Sequence, residues 1–513
     1  MIQQNTQREN HKEMKKLINL LLLLPLFIAC NEKAADNLPC YSTIEDFYNK
    51  SIAIISGSSQ EQKIAKMHPE INILRFDFNS DVFQSIISKQ SEAVILEEGI
   101  YWFYADELKG LVPIEHPLES NNIGAVFRKG QDTELREAFN KFITELKESG
   151  EYDKMRDRWM RSSASISVPE FELVTKGEPI IVATSTTAPP ICYIHNSSYA
   201  GLDYEIVMRF SQYINRPIKW FDAPFSALIP ALIAGKADML VGGINITEER
   251  AKSVDFSIPY DNLKTYIFIR EENSPGFKRE SEVTKETFSF IGLIDKIKES
   301  FYKNVIQEQR YMLILNGLKI TTIISILSAI LGTILGGIIC LMRMSKSSAL
   351  QTFAKVYVNF MRGMPILVLL MLMFYVVFAQ TSLTAISVSI ITFALNFAAY
   401  VSEMFRSSIT SIDRGQKEAG IALGFTQTQT FIHIIMPQAF TRVLPIYKGE
   451  LISLVKMTSI VGYIAVQDLT KIGDIIRSRT FDAFFPLLLI SIIYFALAWA
   501  FSALLDYIGR KTK

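Results

Sequence analysis

The residues that could carry covalent, metal or phosphate chemistry are few, and most lack the spacing that such chemistry requires. The histidines show no spacing of metal ligands; they are His11, His68, His116, His195 and His433. Gly235-Lys236-Ala237 lacks the hydroxyl residue and the preceding glycine of a phosphate-binding loop. Ser58 and Ser59 lie at the start of a predicted helix, and a helix N-terminus suits an anion. We therefore expect no catalytic residue and no metal ligand in this chain.

The composition combines features of a soluble protein and a membrane protein. The chain has 513 residues, 49% of them hydrophobic, with 53 basic and 52 acidic side chains. This balance excludes a disordered chain and gives no support to a basic nucleic-acid binder, and four cysteines are too few for a disulfide scaffold. Charged residues are concentrated in the first three hundred residues and become sparse afterwards. The pattern predicts a soluble part joined to a membrane part.

Residues 1–30 have the pattern of an export signal. Lys15 and Lys16 precede 13 uncharged residues, Leu17 to Ala29, which are too few to span a bilayer comfortably and are typical of a signal peptide. The segment from Leu26 to Cys30 resembles a bacterial lipobox, in which Cys30 would carry the lipid. A plain signal peptide with an incidental cysteine and an uncleaved anchor remain alternatives. Each of them places the following residues outside the cytoplasm.

Five membrane spans are predicted in the second half. Ile320 to Met342 and Ala483 to Leu505 are uncharged stretches of bilayer length. Residues 363–402 are too long for one span, and the polar segment 380–384 divides them into two helices joined by a tight turn. The stretch 438–466 is a weaker span because four charged residues interrupt it. Together with the soluble part, these spans make an α/β region followed by an all-α membrane region.

The basic residues near the ends of the spans predict the orientation. Three clusters fall on the cytoplasmic side when an odd number of spans follows an exported domain: Arg343 and Lys346; Arg406, Arg414 and Lys417; Arg510, Lys511 and Lys513. The segment 467–482, with its three basic residues, then lies outside and departs from the rule.

Several motifs in the membrane part resemble ABC importer permeases of the polar amino acid subfamily. Residues 412–437 resemble the cytoplasmic EAA loop, with Glu418, Ala419, Gly420, Gly424 and Pro437 at the motif positions. Residues 361–365 and 398–406 resemble two further segments of that subfamily. The resemblance covers about residues 310–508. It implies two short helices joined by a glycine turn, which dock on a cytoplasmic ATPase.

This resemblance also implies partners. Because this chain has no phosphate-binding loop, ATP and Mg²⁺ would be bound by a separate ATPase subunit, and the chain itself is not an enzyme. Permeases of this kind work as paired subunits, so we expect a homodimer; a heterodimer stays open. No nucleic-acid partner is expected.

The exported part shows short apolar runs that alternate with amphipathic stretches, which predicts α/β lobes. The predicted strands are Ser51 to Ile55, Ala93 to Leu96, Ile123 to Phe127, Ile180 to Ala183 and Met239 to Val241. Helical spacing is present in Asp132 to Lys147 and Phe225 to Ala234.

These segments resemble the bacterial extracellular solute-binding family 3, which has a two-lobed periplasmic-binding-protein fold. Residues 178–270 resemble lobe one, from the strand at Ile180 to the Asp255-Phe256 segment, and residues 42–125 resemble lobe two. Since ordinary members begin with lobe one, the order here suggests a circular permutation, with the old termini joined by the linker 162–170. Two truncated tandem domains are the alternative. The permuted arrangement requires strand 180–183 to share a sheet with 123–127.

The same resemblance implies a binding site for an amino-acid-like ligand. It gives Arg250 as the partner of the ligand carboxylate and Glu97 as the partner of the ammonium group. Asn245, Gly243, Phe225, Ser58 and Ser59 complete the expected site. Ordinary structural roles stay open for Arg250 as an ion pair, Glu97 as a cap and Phe225 as a core residue. Departures from the family at Ser185, Ala188 and Ile191 leave the ligand's identity open.

The sequence thus predicts a subunit of an ABC importer in the bacterial inner membrane. Its expected parts are a binding domain on the periplasmic side (38–275, with lobe one in 126–265), a linker (276–309) and a permease (310–508). The alternative is a membrane receptor that senses an amino acid without transporting it. Cys40 and Cys192 are both exported and could form a disulfide, although two unrelated thiols are also compatible with the sequence.

Overall fold

Two open sheets and a smaller third sheet form the first half of the chain in this computed structural model. The described residues are 39–105, 108–114, 116–160, 166–275, 277, 290–381, 383–480, 482 and 484–511. Residues 1–40 form one unit and Tyr41–Lys513 the other, and the sheets and helices belong to the second unit. The predicted export signal with Cys30 and residues 162–165 of the predicted linker 162–170 lie outside the described residues.

Fourteen strands are present in the described residues. They are β1 (Ser51–Ile55), β2 (Asn72–Phe76), β3 (Ala93–Glu97), β4 (Leu111–Pro113), β5 (Glu119–Ile123), β6 (Val126–Arg128), β7 (Ile180–Thr184), β8 (Thr187–Ala188), β9 (Cys192–His195), β10 (Ser198–Ala200), β11 (Ile218–Asp222), β12 (Met239–Leu240), β13 (Val254–Phe256) and β14 (Asp261–Arg270). Strands β1, β2 and β3 are parallel, and β14 runs antiparallel to β3. The apolar run of β1 is typical of a parallel strand that is covered on both faces.

The two larger sheets each combine strands from both ends of the binding region. Sheet order is β2-β1-β3-β14-β4 with β5 on β14 in lobe two, and β11-β7-β12-β6-β13 in lobe one. Strand β7 therefore shares a sheet with β6, which is the condition that the permuted arrangement sets. The backbone N–H of Tyr41 also donates to the Asn273 carbonyl at 3.0 Å, so the two ends of this region meet in lobe two. Two separate tandem domains do not fit this topology.

The predicted single strand from Ile123 to Phe127 is wrong, because the chain passes between the lobes inside it. Strand β5 ends at Ile123 in lobe two, and β6 begins at Val126 in lobe one. The residues between them pair with the segment between β13 and β14, where the chain crosses back to lobe two. There the Ser257 N–H donates to the Ala125 carbonyl at 2.8 Å. The apolar run is continuous since both sides of the crossover are buried. The expected lobe-one range 126–265 also ends too late, because β14 from Asp261 onward belongs to the lobe-two sheet.

Helices cover the sheets of the two lobes. They are α1 (Ser59–Met67), α2 (Asn79–Ile87), α3 (Glu98–Phe103), α4 (Thr133–Glu148), α5 (Glu151–Trp159), α6 (Leu202–Ile214), α7 (Phe225–Ile233) and α8 (Glu248–Ala251). Helix α4 buries Phe139, Phe142, Ile143 and Leu146, which repeat every three or four residues along one face. The predicted helices at 132–147 and 225–234 match α4 and α7 within one residue at each end.

The second half of the chain is helical. Its helices are α9 (Phe290–Phe301), α10 (Arg310–Met344), α11 (Ser348–Gly363), α12 (Ile366–Leu372), α13 (Ala385–Thr410), α14 (Arg414–Ala422), α15 (Gln427–Thr430), α16 (Met436–Met457), α17 (Leu469–Thr480) and α18 (Phe484–Lys511). Helix α9 lies inside the predicted linker 276–309, so part of that segment is ordered helix.

Length and hydropathy identify three helices that could cross a membrane, in α10, α13 and α18, and up to five crossings if each of two bent helix pairs is one span. The bent pairs are Ser348–Gly363 with Ile366–Val377, and Gln427–Ile464 with Leu469–Thr480. The expected division of 363–402 into two helices is observed, since α12 and α13 flank the turn. The predicted outer loop 467–482 instead contains α17, a helix with both apolar and charged buried residues.

Candidate functional site

The predicted ligand residues converge on one cleft between the lobes. The cleft has a cavity of about 70 Å³, lined from lobe two by residues that include Ser58, Ser59 and Glu97 and from lobe one by Phe225, Gly243 and Asn245. Six of the seven predicted ligand residues therefore face the same space. Arg250 does not line the cavity directly and lies at its edge. The structure thus brings the predicted set together, and the binding role of each residue stays a prediction.

Arg250 connects the two lobes at the edge of the cleft. It lies in α8, whose N-cap residue Thr247 accepts a hydrogen bond from the Arg250 N–H at 3.2 Å. Its guanidinium donates from Nη1 to the Asn245 carbonyl and from Nη2 to the Gly57 carbonyl, both at 3.0 Å. The group is also 5.8 Å from the centre of the Phe225 ring. Two of the five donors of the buried guanidinium are used, which leaves three for a carboxylate.

Ser58 and Ser59 begin helix α1 as expected. The Ser58 Oγ caps the helix by accepting from the Glu61 N–H at 3.1 Å. The Ser59 Oγ accepts from Asn245 Nδ2 at 2.7 Å, so this hydroxyl links the lobes. Because the helix N-terminus faces the cleft, its backbone dipole favours an anionic group there.

Glu97 is the acid of the cleft. It ends β3 and precedes α3. Burial, together with the nearby Glu119, raises its pKa to about 8, while the charge of Arg250 acts in the opposite direction. Near neutral pH this carboxyl is therefore mostly protonated, and an ammonium group placed beside it would favour the charged form.

Asp203, in the first turn of α6, was not among the predicted site residues. It accepts from the N–H groups of Gly242 and Gly243 at 2.7 and 3.1 Å and from the Tyr260 hydroxyl at 2.9 Å. These bonds hold the turn in which Gly243 adopts a φ of +67°. Burial raises the Asp203 pKa to about 6. Asp203 is a positioning residue for the cleft floor, and its place after Gly201-Leu202 was the available signal.

Three further buried polar residues line the cleft and were not predicted. Gln60 donates to the Thr265 hydroxyl at 3.1 Å. The amide of Asn79 makes a long hydrogen bond of 3.4 Å from Nδ2 to the Thr187 carbonyl, and its Oδ1 has no partner. The three residues are Gln60 in α1, Asn79 in α2 and Thr265 in β14. These elements come together only in the folded lobe.

The loop at residues 412–437 forms the predicted pair of short helices. Asp413 caps α14 by accepting from the Gly415 N–H at 2.7 Å, and Gly424 turns the chain with a φ of +87°. A Cβ atom on Gly420 would lie 2.6 Å from Cγ2 of the buried Thr430, so only glycine allows this close approach. Pro437 lies in the first turn of α16, and Glu418 and Ala419 are exposed on α14. The Leu423 side chain, just after α14, is 77% exposed.

Helix α17 contacts the binding region through two of the basic residues of 467–482, the segment that departed from the predicted distribution of positive charge. Arg477 forms ion pairs with Asp81 of lobe two and with Asp474. Arg479 donates to Glu308 at 2.7 Å and lies 4.7 Å from the centre of the Tyr193 ring. Both cations are paired with acids and largely shielded from solvent, so they are not the free basic loop residues to which the charge rule applies.

Both lobes touch this part of the helical region. In lobe two the Tyr104 hydroxyl donates to the Ser478 carbonyl at 2.5 Å. In lobe one Asp222 accepts from Gln467 Nε2 at 3.3 Å, and Lys236 Nζ donates to the Phe378 carbonyl at 2.6 Å. Ile194 of lobe one packs in an apolar cluster with residues of α10, α17 and α18. One helical surface therefore receives both halves of the cleft.

The disulfide considered for Cys40 and Cys192 is not formed. Cys40 is exposed, Cys192 is buried, and both are free thiols in the structure. The predicted lipid attachment at Cys30 lies outside the described residues.

The fold and the cleft together define a two-lobed solute-binding domain joined to a helical membrane region. Residues 42–162 and 180–386 match the family described as bacterial extracellular solute-binding proteins, family 3, and residues 313–513 match the binding-protein-dependent transport system inner membrane components. The chain belongs to both families, fused in one polypeptide.

Individual relatives match the helical half. The probable amino-acid ABC transporter permease YckA of Bacillus subtilis is 36% identical over 200 residues, which cover 39% of this chain and 88% of the relative. The L-cystine transport system permease TcyB of the same organism is 35% identical over 210 residues, covering 40% and 90%. A solved amino acid ABC transporter, crystallised with histidines, is 32% identical with a TM-score of 0.36 and covers 44% of this chain and 99% of its own.

Proposed function

We propose that this chain is the substrate-binding and membrane-spanning subunit of an ABC importer for polar amino acids. The observation that carries the proposal is the cleft, which has Glu97 in the wall of its cavity and Arg250 at its edge. A free α-amino acid presents an ammonium and a carboxylate, and these two residues are the matching partners. Relatives named as cystine and arginine transport permeases support the substrate class.

The contact between the lobes and α17 supports a mechanism. Ligand closes the lobes around the cleft, and the closed domain engages the permease through Asp81 on lobe two and Asp222 on lobe one. The permease spans then reorient and release the ligand inward. Both lobes contact the same surface, and the two contacts can form together only when the lobes have the right separation. That surface therefore distinguishes closed lobes from open ones.

The energy comes from a separate subunit that binds ATP and Mg²⁺. The exposed Glu418 on α14 and the apolar Leu423 and Phe425 beside it form a surface suited to a partner protein. Glu418 would face a basic residue or the N-terminus of a helix in that ATPase. The chain itself has no enzymatic role, and two copies of it form the permease pair.

We assign the protein to the bacterial inner membrane, with the binding domain on the periplasmic side. The predicted export signal in 1–30 supports this orientation. The basic clusters at the helix ends on the same side as the 412–437 loop also support it. The domain ranges 38–275 and 310–508, with a linker at 276–309, are part of the proposal. Cys30 is its lipid attachment site, and an unmodified Cys30 in the mature protein, seen by mass spectrometry, contradicts that assignment.

A ligand-sensing receptor without transport is the second candidate. It needs the same cleft but has no use for an ATPase-docking loop. The glycine-dependent packing of α14 against Thr430 therefore favours the importer.

The decisive experiment is uptake by the complete importer, reconstituted in vesicles with its ATPase. Arg250→Ala removes the carboxylate partner and should reduce high-affinity uptake at least about tenfold, since charge-assisted hydrogen bonds are worth about 1.5–3 kcal/mol. Arg216→Ala is the matched control, because Arg216 donates from Nε to the Glu178 carbonyl on the surface of lobe one, outside the residues lining the cleft. Unchanged uptake in Arg250→Ala contradicts this site. ATP-independent signalling with no uptake by the wild type favours the receptor.

A further inference from the structure

The cleft contains charges for the two main-chain groups of an amino acid and for nothing else. Of the residues that line it in the described part of the chain, Glu97 is the charged one, and Arg250 adds a single cation at the edge. The remaining polar lining consists of serine, threonine, glutamine and asparagine side chains with backbone groups. A charged ligand side chain would therefore meet no opposite charge.

Two of the residues that line the cleft have a buried amide oxygen without a hydrogen-bond partner. Asn79 is 7% exposed and Asn245 is 3% exposed, and Oδ1 of each has no hydrogen bond. Their Nδ2 atoms are already used, toward Thr187 and Ser59 respectively. A buried acceptor without a donor is unfavourable, and a ligand that supplies an N–H or O–H would remove that cost.

The size of the cavity limits the ligand side chain. About 70 Å³ is enough for a few water molecules, and the surrounding wall includes Ile54, Ile95, Ile100 and Phe225. The interlobe bonds of Arg250 to Gly57 and of Asn245 to Ser59 keep this cavity small. A long ligand side chain would require the lobes to separate and lose both bonds.

We propose that the cleft selects a neutral α-amino acid with a short side chain that donates a hydrogen bond, and rejects cationic and anionic side chains. The inference rests on the proposed function and names the substrate class of that same site. Serine, threonine and asparagine are the members of the class that fit. A cationic side chain would be desolvated against neutral dipoles, and an anionic one would face acceptors and Glu97.

Ligand binding by the purified full-length chain in nanodiscs tests the inference. Calorimetric titration with L-serine, L-asparagine, L-alanine, L-arginine and L-glutamate gives the selectivity directly. Serine or asparagine should bind at least about tenfold more tightly than alanine, which has a similar size without the donor. Arginine and glutamate should bind at least about a hundredfold more weakly than the best neutral ligand.

A substitution at one free acceptor sharpens the test. Asn79→Asp adds a second acid to the cleft at the first turn of α2, where an acidic residue is favourable. This variant should move the preference toward L-arginine by about tenfold or more. Asn72→Asp is the matched control, since Asn72 is exposed on β2 and contacts only the Ser51 hydroxyl through its amide.

The outcomes separate the two proposals. Tightest binding of arginine or glutamate by the wild type overturns the inference and leaves the importer function standing. Equal binding of serine and alanine, or an Asn79→Asp variant that binds neutral ligands with unchanged selectivity, also overturns it. If no amino acid binds the wild-type chain, the proposed function fails together with the inference. If Asn79→Asp does not fold, the wild-type titration decides alone.

Discussion

The helical region meets two different environments at the opposite ends of its spans. Helix α13 begins beside the binding domain at Ala385 and ends near the 412–437 loop at Thr410, about 39 Å away for its 26 residues. At the first end, Arg477 and Arg479 of α17 are largely shielded from solvent and paired with Asp81 and Glu308 respectively. At the second end, α14 leaves Glu418 and Leu423 exposed.

This difference shows where each partner comes from. A charge withdrawn from solvent is favourable with its counter-charge beside it, and here the acid of lobe two that pairs with α17, Asp81, belongs to the same chain. Exposed apolar residues beside an exposed acid indicate a partner that arrives as another chain. The fusion of two families thus explains why one end is satisfied and the other is not.

The exposed end should be the more sensitive one. Gly420→Val places side-chain atoms where a Cβ alone already lies 2.6 Å from Thr430, so α14 must move away from the helix behind it. Ligand-stimulated ATP hydrolysis with the partner ATPase should fall at least about a hundredfold, because misplacement of a coupling element has effects of that order. Ligand binding should stay at the wild-type level.

Gly449→Val is the matched control, since a Cβ there meets no atom within 4 Å. Normal coupling in Gly420→Val would mean that the close approach of α14 has no role in docking. The difference between the two ends would then lose its functional meaning.

Glu97 in the cleft gives a third case, an acid whose partner we propose to be a ligand. Because burial sets the pKa of Glu97 at about 8, against an ordinary value of 4.5, the folded ligand-free chain holds a proton that the unfolded chain releases. The contribution of Glu97 to stability is therefore present below pH 4.5 and is lost as the pH rises to about 8. An ammonium ligand needs the charged form, so ligand affinity should rise about fiftyfold from about pH 6 to pH 8 and level off above.

Titration of affinity against pH by calorimetry measures this effect. Glu97→Gln should bind weakly with a flat profile, whereas Glu98→Gln, one residue further along, should keep the rise. A wild-type affinity that is independent of pH would show that the ligand does not pair with Glu97.

A double-mutant cycle tests the paired end. Asp81→Asn and Arg477→Gln each remove one side of the ion pair between lobe two and α17. Each single change should reduce ligand-stimulated ATP hydrolysis about tenfold, and the double variant should lose little more, which corresponds to a coupling free energy of about 1–2 kcal/mol. Additive losses would indicate that the two residues act independently.

The exposed pair of Lys154 and Glu151, which are 2.6 Å apart on α5, provides the control cycle. Its coupling energy should not differ measurably from zero, because both side chains are exposed and screened by solvent. The contrast between the cycles measures what burial against α17 adds.

Much of this arrangement follows from local sequence. The apolar run of β1, the helical spacing of α4 and the glycine turn at Gly424 were all predicted, because each depends on neighbouring residues. The cleft residues were found because their motifs are contiguous, even though the lobes assemble from both ends of the domain.

The contacts that distinguish the two ends could not be predicted in this way. Tyr104 and Ser478 are 374 residues apart, and no periodicity relates them. The predicted strand from Ile123 to Phe127 failed because hydrophobic continuity does not reveal a crossover between lobes. Helix α17 was treated as an outer loop, since its charged residues become compatible with burial only when Asp81 and Glu308 lie beside them.

The smallest effect should come from lobe one at the paired end. Lys236 Nζ donates to the Phe378 carbonyl at 2.6 Å and lies 4.7 Å from the centre of the Phe374 ring. Lys236→Met keeps the length of the side chain but removes both contacts, which are worth about 1 kcal/mol together. The ligand concentration for half-maximal ATP hydrolysis should rise about fivefold. Lys219→Met is the control and should change this concentration little, because Lys219 lines the same cavity between lobe one and the helical region as Lys236 but does not make that hydrogen bond. Because Lys236 belongs to lobe one and Asp81 to lobe two, a larger loss at Lys236 would mean that lobe one makes the dominant contact, and the paired end would have to be redefined around it.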